Sequence, residues 1–176
     1  MKTNIALIGF MGTGKTSVAR LLAERTGKRL VEMDELAALC AGKPISSIFL
    51  EEGEAAFRKL EAEIAAEAAR GENQVIACGG GVVLNPANIA SLKKDSVIVY
   101  LKASPEEILA RVSADGAVRP LLQTEDPAQT IKQMMESRRP LYEQAADIVI
   151  DTGGLKLEAV ARKVIDGLRD YERQDK

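Results

Sequence analysis

The stretch Gly9-Phe10-Met11-Gly12-Thr13-Gly14-Lys15-Thr16 decides how this chain is read. It fills every fixed position of the pattern G-x-x-x-x-G-K-[ST]. Its flanks agree. Apolar Ile5-Ala6-Leu7-Ile8 reads as a buried strand, and Thr16 to Arg25 has helical spacing, with Val18, Leu21 and Leu22 on one face. Glycines let such a loop curl with its N–H groups pointing inward, and the helix start adds partial positive charge. Gly12, Thr13, Gly14, Lys15, Thr16 and Ser17 are therefore candidate contacts to the phosphates of ATP. Lys15 supplies the cation for the β- and γ-phosphates, and the Thr16 hydroxyl is the candidate ligand for Mg²⁺.

The rest of the chain alternates between strand-like and helix-like segments. Arg29 to Met33, Gln74 to Cys78, Ser96 to Leu101 and Asp147 to Ile150 read as further short strands. Helical patterns run over Pro127 to Gln144 and Leu155 to Tyr171, and Ser104-Pro105-Glu106-Glu107 carries an N-cap, a first-turn proline and acids suited to the helix dipole. Five strands separated by helices predict a three-layer α/β/α fold around a parallel sheet, one domain over residues 1–176. Residues 35–70 contain no strand candidate, and Pro44 marks a helix start within them. That is too long for a plain crossover and predicts a helical insertion that holds a substrate. Residues 114–126 have little periodicity and read as a loop, the candidate lid.

Composition removes several chemistries. The chain has 176 residues, 46% apolar and 28% charged, with a net charge of −2, which predicts a soluble globular domain without a basic footprint for nucleic acid. There is no histidine and there are two cysteines, Cys40 and Cys78. Zinc sites and His-assisted nucleophiles are thereby removed, leaving Asp, Glu, Lys, Tyr or Cys for proton transfer. Both cysteines read as small buried hydrophobes rather than a disulfide. With 3% aromatics and no Trp, stacking platforms for single-stranded nucleic acid are not expected. No apolar run approaches the ~18 residues of a membrane span, so a cytoplasmic protein is expected. No exposed apolar stripe is evident, and a monomer is expected.

A nucleotide site of this kind usually takes a carboxylate from the end of another strand. Gln74 to Cys78 ends instead in Gly79-Gly80-Gly81. Glu32 and Asp34 at the end of the second strand are the replacements. Across Met33 they would point to the same side of an extended segment. The competing reading is a solvated strand end. Three glycines in a row predict close approach of a small ligand to bare backbone.

Taken together, these residues resemble the shikimate kinase family over nearly the full length. The phosphate loop is followed by the acidic pair ending at Asp34, then Phe57-Arg58-Lys59-Leu60-Glu61, Gly79-Gly80-Gly81, Arg119-Pro120-Leu121-Leu122 and Arg138-Arg139-Pro140-Leu141-Tyr142. Each later motif is weak alone, and their joint order is specific. The resemblance implies a P-loop fold like that of nucleoside monophosphate kinases and ATP-dependent phosphorylation of the 3-hydroxyl of shikimate. It implies that Asp34, Arg58, Gly80, Gly81 and Arg138 hold shikimate, with the two arginines on its carboxylate and Asp34 accepting the hydroxyl proton. Arg119 would close on a lid over the transferring phosphoryl group, and Arg111 would stack on adenine. Glu32 stands where the family usually has Asp, and would meet Mg²⁺ directly or through water. Because Arg138 and Arg139 are adjacent on a helix, only one can face the site, and the pattern favours Arg138.

Two alternatives remain at this level. A different small-molecule kinase, for gluconate or a nucleoside monophosphate, could share the scaffold. Two arginines beside a triple-glycine edge favour a small carboxylated polyol. A nucleotide-dependent switch without phosphotransfer is the other, although the guanine-reading Asn-Lys-x-Asp motif is absent.

Overall fold

The structure is a computed structural model that describes residues 2–174. Five parallel strands lie in the order β2-β3-β1-β4-β5: β1 (Asn4–Ile8), β2 (Arg29–Glu32), β3 (Gln74–Ala77), β4 (Ser96–Lys102) and β5 (Ile148–Asp151). All five residues of β1 are buried, as befits a central strand covered on both faces. Ile5 stands opposite both Val75 and Val97, and Leu7 opposite both Ala77 and Val99. Strand alternation divides the core into two. Ile5, Leu7, Val99 and Leu101 face α1 (Lys15–Thr26) and α7 (Leu157–Gln174). Ala6, Ile8, Ile98 and Tyr100 face the opposite layer, which includes α3 (Ile45–Ala68) and α6 (Pro127–Ala145). The expected three-layer fold is present. No helix among the described residues is long and apolar enough to cross a membrane.

Residues 35–70 are helical, as expected, in α2 (Met33–Ala41) and α3. Gly53 breaks α3 with φ 84° and ψ 171°, a backbone conformation that glycine tolerates and other residues resist. The break has a consequence for the site. Phe49 and Phe57 are eight residues apart, about 12 Å along a straight helix, yet their ring centroids lie 4.9 Å apart.

Four expectations are revised. The second strand stops at Glu32, and Met33 begins α2, so Asp34 sits in a first helical turn rather than on a strand. Acids at Asp34 and Glu35 suit the positive end of that helix. A further helix, α4 (Pro86–Asp95), fills a segment to which the sequence pattern assigned nothing; the Asn85 side chain caps it by accepting from the Ala87 N–H. α5 (Pro105–Asp115) takes in the first residues of the expected lid loop and ends at Gly116, φ 65°. Cys40 is exposed on α2 instead of buried, whereas Cys78 is buried as expected.

Candidate active site

The phosphate loop is wedged between the exits of the two strands that flank β1. A Cβ on Gly9 would lie 2.5 Å from the Leu101 carbonyl oxygen, and one on Gly80 would lie 3.3 Å from the Met11 nitrogen. Lys15 Nζ donates to the Gly9 and Phe10 carbonyls at 2.8 and 2.9 Å. Burial lowers its pKa to about 8, against the opposing pull of Asp34. The ammonium is thus poised but poorly compensated, and an anion would restore its charge.

Two adjoining cavities meet at this loop. One, of about 310 Å³, is lined by Gly12, Gly14, Lys15, Thr16, Ser17 and Glu32. The other, of about 280 Å³, is lined by Arg58, Glu61, Gly79, Gly81 and Arg138, with Phe49 and Phe57 from the two arms of α3. Met11, Asp34, Gly80 and Arg119 line both. All the candidate residues except Thr13 and Arg111 therefore come together. Thr13 is turned into the loop, its hydroxyl donating to the Phe10 carbonyl at 2.8 Å. Arg111 flanks the loop from outside, donating to the Gly12 carbonyl at 3.4 Å and the Thr152 hydroxyl at 3.3 Å. A larger cavity, about 530 Å³, is lined by Tyr100, Lys102 and Asp151 among others and contains none of the candidate residues.

The cations differ in their counter-charges. Arg58 is held by Glu61 Oε2 at 2.8 Å and by Glu54 Oε1 at 3.1 Å. Arg119 pairs with Asp115, whose carboxyl it pulls down to about 2, helped by the Ala117 amide. Arg138 is 6% exposed, lies over the Phe10 ring at 5.7 Å, and pairs with no carboxylate among the described residues. A buried, unpaired guanidinium is costly, and a ligand anion is what would offset it. Arg139 is exposed, as the spacing required. Asp34 opens into both cavities, yet the protein around it raises its pKa by desolvation, with Lys15 and Arg58 opposing.

Sequence reasoning missed two residues. Glu61 is 3% exposed, its pKa is raised by burial, and its Oε1 has no hydrogen-bond partner. The available signal was its place three residues after Arg58 on one helix face. Tyr142, read from the sequence only as the end of a motif, stacks on Tyr100 and donates its hydroxyl to the Gly80 carbonyl at 2.5 Å, pinning the glycine edge. The triple glycine also has a steric cause that the sequence did not show. A Cβ on Gly79 would meet Glu61 Oε1 at 2.5 Å, and one on Gly81 would meet Arg58 Nη1 at 2.1 Å. The bare backbone makes room for the protein's own ion pair.

The oxygen donors suit a hard cation. The Thr16 hydroxyl, Glu32 and Asp34 line one cavity. No group of three or more His, Cys, Asp or Glu among the described residues could hold a metal alone. Mg²⁺ habitually keeps waters and substrate phosphates, so a sparse oxygen set fits an ion carried in with the nucleotide.

Residues 11–169 match the sequence profile of the shikimate kinase family. The chain belongs to the shikimate kinase family. It is 48% identical to the shikimate kinase of Thermodesulfovibrio yellowstonii over 170 residues, 97% of this chain and 95% of that one. The structure superposes on shikimate kinase from Acinetobacter baumannii in complex with shikimate with a TM-score of 0.92 at 35% identity, covering 97% of this chain and 94% of that one. A gluconokinase from Sinorhizobium meliloti, 19% identical with a TM-score of 0.65 and covering 99% of this chain and 97% of that one, shares the fold alone. The activity is that of the family, ATP-dependent phosphorylation of shikimate, a step in aromatic amino acid biosynthesis.

Two outcomes follow from this geometry. Gly81→Ala should fold, because only the flexible end of Arg58 must give way, but it should raise KM for shikimate roughly tenfold or more, the cost of one charge-assisted hydrogen bond. An unchanged KM would remove Arg58 from the acceptor's carboxylate. Calorimetry near pH 8 should find about half a proton taken up per nucleotide bound, as phosphate restores the charge on Lys15. Affinity should fall as pH rises further, and Lys15→Arg should abolish the uptake.

Proposed function

We propose that the two cavities divide the reaction between them, shikimate entering the one lined by Arg58 and Arg138 and ATP the one lined by the phosphate loop. The observation that carries this assignment is Arg138, a buried guanidinium without a carboxylate partner among the described residues, facing a cavity that adjoins Lys15 across Asp34. Arg138 and Arg58 take the carboxylate of shikimate, whose planar anion suits the guanidinium fork. Glu61 holds Arg58 in place through Oε2.

On the nucleotide side, the amides of Gly12 and Gly14 and the Lys15 ammonium bind phosphate oxygens, with Ser17 beside them. Arg111 borders the adenine. Thr16 and Glu32 would hold Mg²⁺ arriving with the nucleotide, and the ion would supply charge neutralisation for the phosphates. Asp34 lines both cavities. It orients the 3-hydroxyl of shikimate and takes its proton as the oxygen bonds to the γ-phosphorus. The bond from that phosphorus to the β-bridging oxygen breaks and the electron pair leaves with ADP. A raised pKa makes Asp34 a better acceptor at this moment. Arg119 exchanges Asp115 for the transferring phosphoryl group as residues 114–126 close, which also excludes water. Residues 35–70 are the acceptor-holding insertion, within a single domain of residues 1–176.

The decisive assay is ADP release from ATP and Mg²⁺ with and without shikimate. Release should depend on shikimate; slow release indifferent to it would indicate a nucleotide-binding module instead. Asp34→Asn should bind ATP normally and lose nearly all turnover, whereas near-normal turnover would eliminate it as proton acceptor. Arg119→Ala should lower kcat by about a hundredfold or more with little change in shikimate affinity, as expected for a group acting on the transition state. The reverse pattern would move Arg119 to the acceptor.

A further inference from the structure

Glu32 reaches one methylene further than the Asp usual at its position, and the structure contains a group that fixes where this longer side chain ends. Arg20 lies one turn after Thr16 on α1, on the same helix face. Its Nε and Nη2 both lie 2.8 Å from one oxygen, Glu32 Oε1, and Nη2 also reaches Glu35 Oε1 at 3.2 Å. The other oxygen, Glu32 Oε2, makes no hydrogen bond among the described residues. The Glu32 side chain is only 9% exposed and lines the nucleotide cavity beside Thr16 and Asp34, whereas the Arg20 side chain is 55% exposed and lies outside that lining. A surface guanidinium thus grips one oxygen of a largely enclosed carboxylate and leaves its twin uncommitted.

We propose that Arg20 is a positioning residue for the metal-bearing nucleotide. It holds Glu32 by Oε1 so that Oε2 is reserved for the water shell of Mg²⁺. This inference rests on the assignment of Glu32 to the metal. Glutamate has one more rotatable bond than aspartate, and a grip on one oxygen from two nitrogens removes the added freedom before the nucleotide arrives. Arg20 itself touches neither phosphate nor acceptor. Partners that orient a ligand in this way are worth about 10–100-fold in metal affinity.

The test is calorimetric binding of a non-hydrolysable ATP analogue, with Mg²⁺ and with EDTA. Arg20→Gln should cut the affinity gain due to Mg²⁺ about tenfold and leave binding in EDTA, shikimate affinity and the unfolding midpoint nearly unchanged. Arg20→Lys, which keeps the charge but loses the fork, should show the same loss in smaller degree. In a Glu32→Asp background, whose shorter carboxylate does not need the grip, Arg20→Gln should cost less than about twofold. Equal losses in Mg²⁺ and EDTA, or none in either, would overturn the proposal and leave the pair as a surface contact. Glu32→Gln separates the two levels. If it leaves the Mg²⁺ gain intact, Glu32 is not the metal-side carboxylate. If it removes the gain while Arg20→Gln does not, that assignment stands and the role of Arg20 falls.

Discussion

The phosphate loop is trapped between two neighbouring strand exits, and the site's arrangement depends on that crowding. β1 pairs in parallel with β3 on one side and β4 on the other, so three carboxyl ends open on one edge. Gly9 fits beneath the Leu101 carbonyl without room for a side chain, and Gly80 lies tightly against the Met11 amide. The loop therefore cannot drift relative to the acceptor edge. Tyr142 ties the same edge to α6 through the Gly80 carbonyl, and α6 also carries Arg138. Nucleotide and acceptor contacts are set at a fixed separation by main chain rather than by flexible side chains, which is what an in-line displacement needs.

A site built to gather two anions must first survive their absence. Lys15, Arg58, Arg119 and Arg138 converge here, and each is accommodated differently. Lys15 rests on carbonyls and loses basicity, Arg58 is held by a buried glutamate, Arg119 lies on an exposed aspartate, and Arg138 leans on an aromatic ring. The partners match the expected duties. Arg58 keeps its counter-charges, which suits the proposed duty of only holding a carboxylate. The Arg119–Asp115 pair is solvent-accessible and cheap to break, as suits a residue that has to move. Arg138 has no counter-charge to surrender, so a bound carboxylate there gains the most.

Legibility in the sequence followed physical range. The phosphate loop and the strands were readable because their signals are local: a fixed glycine spacing and short apolar runs. The two cavities drew on residues 11, 34, 58, 80, 119 and 138, which no local pattern unites. The family pattern supplied that grouping. Glu32 and Asp34, flanking Met33, read as a strand end, whereas the chain turns helical at Met33, where the first turn suits the acids Asp34 and Glu35. Gly79 and Gly81 could be seen to need space, but not from what. The answer, an ion pair on a distant helix, is tertiary. Glu61 was visible as the end of a motif, but its burial and the oxygen left unpartnered by the packing around it are tertiary as well.

The glycines at the end of β3 carry a further implication. Placing them there forfeits the strand position from which a nucleotide site commonly draws its metal-side carboxylate. The metal-side duty is proposed to shift one strand outward, to the junction of β2 and α2, where Glu32 immediately precedes the helix and Asp34 sits in its first turn. One short, rigid junction thus supplies the carboxylate on the nucleotide side and the one that borders both cavities. Any shift of the metal-bearing phosphate relative to the acceptor hydroxyl would have to distort a helix start. On the proposed assignments, the junction would couple metal position to proton acceptance through two residues of backbone. The anchor that Arg20 provides from α1, the helix that begins at the phosphate loop, closes the triangle between phosphate, metal and acceptor.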